Sequence, residues 1–158
     1  MTQASDMGWL LPPQFCQDIE VRDADIDDFG HVNNVVYLGW MARVAWAASK
    51  SVGFDFARYE SLDCGFVVTR HEIDYRRAAM PGDTVAVATW IARNDGRLRL
   101  RRRFQMVAHK TGETLAFGLT DFACMKLSNG RACRMPDVFA NGYAVDAKAE
   151  AAFTAALE

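Results

Sequence analysis

Between Asn34 and Ser49 the chain carries a single charged residue, Arg43, in a run dominated by Val35, Val36, Leu38, Trp40, Met41, Val44, Ala45, Trp46 and Ala48. The run reads as a helix over 34–50. A helix on a soluble protein ordinarily shows one apolar stripe, and one that is apolar nearly all round is buried on most sides. Something else in the chain must therefore wrap it.

The wrapping material is extended. Residues 15–22 form a short strand, and 65–77 alternate Val67, Thr69, His71, Ile73 and Tyr75 on one face, as a half-buried strand does. Strands follow over 85–93, 97–109 and 114–127, punctuated by Met80-Pro81-Gly82-Asp83, the hairpin signal Asn94-Asp95-Gly96, Lys110-Thr111-Gly112-Glu113, and Ser128-Asn129-Gly130. The segment after Gly53 reads as a polar connector. One helix covers about five strands only if the sheet curls around it, which gives an α+β domain. The far face of that sheet must meet another subunit or water. Residues 1–14, with Pro12-Pro13, read as an entry arm, 15–140 as the domain, and the alanine-rich 141–158 as a tail ending in a surface helix.

Composition narrows the function classes. The 158 residues suit one domain. A formal net charge of -2 excludes a globally basic nucleic-acid binder, so an anionic ligand needs a local patch. No run of about 18 apolar residues exists to span a membrane. The start, Met1-Thr2-Gln3-Ala4-Ser5-Asp6, lacks the basic and apolar regions of a signal peptide. Cys16, Cys64, Cys124 and Cys133 are scattered without a Cys-x-x-Cys pair, so they read as reduced thiols of a cytoplasmic protein, with no metal site.

Ahead of the helix stands Asp25-x-Asp27-x-x-Gly30-His31-Val32-Asn33-Asn34-x-x-Tyr37. This motif resembles the signature of the hotdog-fold acyl-CoA thioesterases of the 4-hydroxybenzoyl-CoA thioesterase type. Ile73-x-Tyr75-x-x-x-Ala79-x-x-Gly82-Asp83 and Arg134-Met135-Pro136 resemble later parts of the same family, so the likeness runs over about residues 16–138. The resemblance implies a hotdog fold, in which an antiparallel sheet of about five strands wraps one long helix. It also implies homodimers that pair sheets edge to edge, or tetramers, with active sites at the subunit interface.

Thioester hydrolysis needs a carboxylate or an activated water near the carbonyl carbon, and donors for the developing oxyanion. The start of a helix offers unpartnered N–H groups at the positive end of its dipole. Asn33 suits the N-cap, leaving nearby N–H groups, including that of Asn34, to polarise a carbonyl. Gly30 permits a sharp turn and close approach of a ligand. By its place in the motif, Asp27 corresponds to the family's catalytic carboxylate, as nucleophile or general base. Asp25 and Asp28 support the loop, and three aspartates in four positions favour a raised pKa for at least one. Substrate contacts are assigned to Gly30, His31, Asn33 and Tyr37. Tyr37, Trp40 and Met41 are also candidates for lining an acyl pocket, or else for filling the core, and His71 is expected to be a buried, hydrogen-bonded histidine.

The run Arg97-Leu98-Arg99-Leu100-Arg101-Arg102-Arg103 places four arginines on one strand face. Arg99 and Arg101 are candidates for the phosphates of coenzyme A, against the plainer reading of a solvated sheet face. Arg102 falls out of that alternation and implies a bulge or a buried, paired arginine. No cofactor is implied. The expected function is hydrolysis of an acyl-CoA, with no nucleic acid or membrane partner. An acyl-carrier-protein thioesterase and a non-catalytic acyl-CoA-binding module are the rivals.

Overall fold

The structure, a computed structural model, describes residues 7–158, so the first six residues of the entry arm lie outside it. Its elements are β1 (Phe15–Glu20), α1 (Asn34–Ser51), α2 (Phe56–Leu62), β2 (Gly65–Tyr75), β3 (Thr84–Asn94), β4 (Arg99–Ala108), β5 (Thr114–Met125), α3 (Asp137–Gly142) and α4 (Ala149–Leu157). The five strands form one antiparallel sheet in the order β1-β3-β4-β5-β2. α1 lies in its concavity, which is the hotdog arrangement.

One local expectation is corrected, and one turn joins strands that are not neighbours. The segment after Gly53 is partly helical: Asp55 caps α2 by accepting the Arg58 N–H at 2.8 Å. The Met80–Asp83 turn does not close a hairpin. β2 is an edge strand beside β5, so the chain from Arg76 to Asp83 crosses from that edge to β3. It crosses by the start of α1. The Ala79 carbonyl accepts the Val32 N–H at 3.0 Å, and the Tyr37 hydroxyl accepts the Ala79 N–H at 2.9 Å. The Asn94–Gly96 signal does make the β3–β4 turn. There the Asp95 carboxylate accepts the N–H groups of Arg97, Leu98 and Arg99.

The core lies between α1 and the inner face of the sheet. Tyr37, Trp40, Met41 and Val44 of α1 meet Val85, Val87, Phe104, Met106, Leu115 and Ala116. Each large apolar side chain fully buried there contributes about 1.5–3 kcal/mol. Helix and sheet approach so closely at Gly118 that a Cβ there would stand 2.8 Å from the Met41 thioether. The other side of α1 leaves Val35 (70% exposed) and Trp46 (48%) open, so its apolarity is only partly used within one chain.

On the far face of the sheet the chain's own ends pack. Trp90 and Phe117 pack edge-on against Phe153 of α4, and Trp9 packs against Trp90. Buried Gln105 accepts the Leu10 N–H and donates to the Gly8 carbonyl, which stitches the entry arm to the same face. Among the described residues no helix is long and apolar enough to cross a membrane.

Candidate active site

The Asp25–Asn34 segment folds back on itself. Ile26 and Val32 form an isolated antiparallel bridge. The Asp27 N–H donates to the His31 carbonyl, and the Asn33 N–H to the Asp25 carbonyl, at 2.9 and 2.8 Å. At the tip, the Asp27 carbonyl accepts the Gly30 N–H and its carboxylate Oδ1 accepts the Phe29 N–H, both at 2.9 Å. Gly30 sits at φ +77°, where a side chain would be strained, and the space above it is open. Asp27 is half-buried, while Asp28, Phe29 and His31 are exposed. Asp27 thus keeps one carboxylate oxygen in a local turn and has the other available.

Asp25 does the supporting work. It is 6% exposed, and its carboxylate accepts the Arg22 N–H at 2.9 Å and the Arg22 guanidinium at 3.3 Å. Burial alone would push its pKa up. The two Arg22 hydrogen bonds and the Arg22 charge outweigh that and hold it below the usual carboxylate value. Crowding by the neighbouring aspartates is thus not what sets Asp25, whose two donors both belong to Arg22.

The helix begins beside this loop. Asn33 is the N-cap: its side chain accepts the Val35 N–H at 3.1 Å and its carbonyl the Val36 N–H at 2.9 Å. The Asn34 N–H has no acceptor within the helix, because the carbonyl four residues back belongs to the loop. Its own carbonyl accepts the Tyr75 hydroxyl at 2.7 Å, which ties the end of β2 to the helix start. Tyr37, assigned to substrate by sequence, lies 2% exposed in the core, with its hydroxyl engaged by Ala79.

The arginine face is also corrected in part. Arg101 is clamped by the Asp121 carboxylate at 2.6 Å and by Glu150 of α4 at 2.8 Å, and Arg103 by Glu150 at 2.7 Å. The Asp121 hydrogen bond raises the Arg101 pKa. These charges neutralise one another under α4, so Arg101 is not free for a phosphate, whereas Arg99 remains exposed.

A cavity of ≈ 300 Å³ opens at the other end of α1, and no residue of Asp25–Asn34 lines it. Its walls include Met41, Ala45, Phe66, Leu100, Phe122 and Leu127, and it contains Arg102. Of the three helix residues considered for an acyl pocket, Met41 alone lines it; Tyr37 and Trp40 fill the core. β4 runs regularly against β5 at Arg102, which pairs with Thr120, and the irregularity lies across in β3 between Ile91 and Arg93. Arg102 is therefore an inner-face residue, 4% exposed. His71 is hydrogen-bonded to the Thr120 hydroxyl at 2.9 Å but is exposed on the edge strand rather than buried, and partial burial lowers its pKa. Sequence reading passed over Ser49, Tyr59 and Tyr143, which join Arg102 here. The one signal was an arginine in the apolar register.

The scattered cysteines also converge. The sulfurs of Cys64, Cys124 and Cys133 lie within 4.8 Å of one another, all as free thiols. Burial pushes the Cys64 and Cys124 pKa values up.

A family model described as the thioesterase-like superfamily matches residues 21–142. The long-chain acyl-CoA thioesterase FadM of Escherichia coli (strain K12) is 26% identical over 115 residues, 72% of this chain and 85% of that protein. Among solved structures, the hypothetical protein TT1821 from Thermus thermophilus superposes with a TM-score of 0.73 at 26% identity, covering 81% of this chain and 95% of that one. A DHNA-CoA thioesterase from Staphylococcus aureus gives a TM-score of 0.72 at 22% identity, covering 90% of this chain and 89% of that one, a likeness of fold.

Proposed function

The chain belongs to the thioesterase-like superfamily, and from that premise we propose that it hydrolyses acyl-CoA thioesters at the Asp25–Asn34 segment, in the manner of the 4-hydroxybenzoyl-CoA type. The observation that carries this reading is a half-buried carboxylate, Asp27, on a loop hydrogen-bonded to the capped start of an 18-residue helix. The Asn34 N–H, at the positive end of the helix dipole, polarises the thioester carbonyl and stabilises the oxyanion. Asp27 attacks the carbonyl carbon, expelling CoA thiolate and leaving a mixed anhydride that water hydrolyses, or it takes a proton from the water that attacks the carbonyl carbon; in both cases the water's proton ends on the CoA thiolate. Gly30, His31 and Asn33 shape the substrate's approach, and Arg99 is the arginine placed in solvent for a CoA phosphate.

The catalytic loop and the cavity lie at opposite ends of α1, and self-association reconciles them. β2 is an edge strand with Val67 and Val68 more than 40% exposed. Its Tyr75 end is tied to the start of α1, while its Gly65–His71 end borders the cavity. Antiparallel pairing of β2 with its copy in a second subunit, centred near Arg70, sets each helix start beside the other subunit's cavity. The thioester then sits at one subunit's Asp27 with its acyl group in the other's cavity. The exposed Phe29 and Val35 beside the loop suit such an interface. Free cysteines, three of them in contact range, suit the reducing cytoplasm.

The test is a hydrolysis screen over short, long and aromatic acyl-CoAs, run beside Asp27→Asn. The variant is expected to lose about 10³-fold in kcat on the best substrate. Wild-type rates in the variant would sink the mechanism. Binding of acyl-CoA without thiol release by the wild type would favour a sensing module.

A further inference from the structure

We propose that the cavity at the C-terminal half of α1 is built for an acyl chain that ends in a carboxylate, with Arg102 as the residue that receives it. The identity of the ligand as an acyl thioester rests on the function proposed above; the presence of a cation awaiting an anion does not.

A buried charge is tolerated where it is paired and hydrogen-bonded, and an unpaired one is costly. Arg102 is 4% exposed, yet among the described residues no carboxylate stands within ion-pair distance of it. Its guanidinium has five N–H donors. One nitrogen, Nη2, donates to the Ser49 hydroxyl at 3.1 Å, and Cζ stands over the Tyr143 ring, 5.7 Å from its centroid. Ser49 is a neutral acceptor already shared, since the Tyr143 hydroxyl donates to it at 3.0 Å. Tyr143 in turn is hydrogen-bonded to Tyr59.

None of these groups supplies a negative charge. Burial pushes the Tyr143 phenol far above its ordinary value, so it stays protonated. The His71 imidazole on the cavity wall is held toward its neutral form by partial burial. Burial draws the Arg102 pKa down to about 10, which still leaves it cationic at neutral pH. The cavity thus holds one cation, no anion, and walls of Met41, Ala45, Phe66, Leu100 and Phe122. Stability does not call for this arrangement, because an apolar residue of similar volume at an inner-face position is commonly neutral or stabilising. The volume of ≈ 300 Å³ equals the liquid-state share of about ten water molecules at ~30 Å³ each. That matches a medium chain with one terminal carboxylate.

The experiment compares octanoyl-CoA with the CoA monothioester of octanedioic acid, on wild type, Arg102→Met and Arg102→Lys. The wild type is expected to favour the carboxylated substrate at least about tenfold in kcat/KM. Arg102→Met should reverse that preference, and Arg102→Lys should restore part of it. A wild-type preference for octanoyl-CoA, or the same ratio in Arg102→Met, overturns the proposal. Calorimetry of the wild type with non-hydrolysable S-octyl-CoA and S-(7-carboxyheptyl)-CoA tests it without a variant that must fold. The carboxylated thioether should bind at least about tenfold more tightly, and equal or weaker binding overturns the proposal. The two readings fail separately. Discrimination between the thioethers without hydrolysis of any thioester sinks the enzyme and keeps the subsite; hydrolysis without discrimination sinks the subsite and keeps the enzyme.

Discussion

The two ends of α1 handle polar groups in opposite ways. At the start, polar atoms are satisfied by their own neighbours: Asp25 by Arg22, Val35 by the Asn33 side chain, Gly30 and Phe29 by Asp27. Apart from the Val32–Ala79 bond, the loop is closed by short-range bonds, and its tip faces solvent. At the far end, Ser49, Tyr59, Tyr143, Arg102 and Thr120 come from five different elements or segments and meet among apolar walls. The first end orders itself locally and is suited to chemistry in water. The second depends on the whole fold and is suited to recognising what water has left.

This contrast can be broken by substitutions that should each disturb one end alone. Ala45→Phe places a ring in the cavity, so kcat/KM for medium and long acyl groups should fall about 100-fold while acetyl-CoA turnover is held. Equal losses on all chain lengths would show that the cavity is not the acyl pocket. Asp25→Asn should act on stability: loss of a buried, doubly bonded carboxylate costs about 2 kcal/mol in chemical denaturation. Its folded fraction should keep wild-type kcat, unlike Asp27→Asn. Removing the cap with Asn33→Ala should cost about 1 kcal/mol and leave the chain-length preference unaltered.

Acid titration checks a region belonging to neither end. Hydrogen bonds and charge from Arg103 and Arg101 hold Glu150 below its ordinary value of 4.5, although burial opposes them. A carboxylate whose pKa is depressed by folding contributes stability above its unfolded value, and that contribution is lost as pH falls through the folded one. The thermal midpoint of the wild type should therefore decline as pH drops below 4.5, and Glu150→Gln should flatten that decline. An unchanged slope would mean that the α4 clamp is without energetic weight.

The contrast also explains what could be read from the chain. α1 was legible because an apolar run so free of charge has few other outcomes, and the Asn94–Gly96 turn because Asp95 gathers three following N–H groups within five residues. The loop before the helix was legible for the same reason: all its bonds but Val32–Ala79 span a few positions. The strand order was not, since β2 pairs with β5 some fifty residues away and passes over its neighbour in sequence. The cavity was not, because Ser49, Arg102 and Tyr143 meet only after the sheet has curled. Cys64, Cys124 and Cys133 looked scattered for the same reason. Arg101 looked like a phosphate ligand until α4, unreadable in role from its alanines, supplied Glu150.

The covered far face of the sheet decides where this chain can be cut. A version trimmed to residues 15–140 retains every strand and α1, and by sequence alone looks like the whole domain. It would also strip away Phe153 and Trp9, laying bare Trp90 and Phe117, and deprive Arg93 and Arg103 of Glu150. The shortened protein would carry an adhesive patch, both greasy and cationic, on a surface that residues 7–14 and 141–158 otherwise cover.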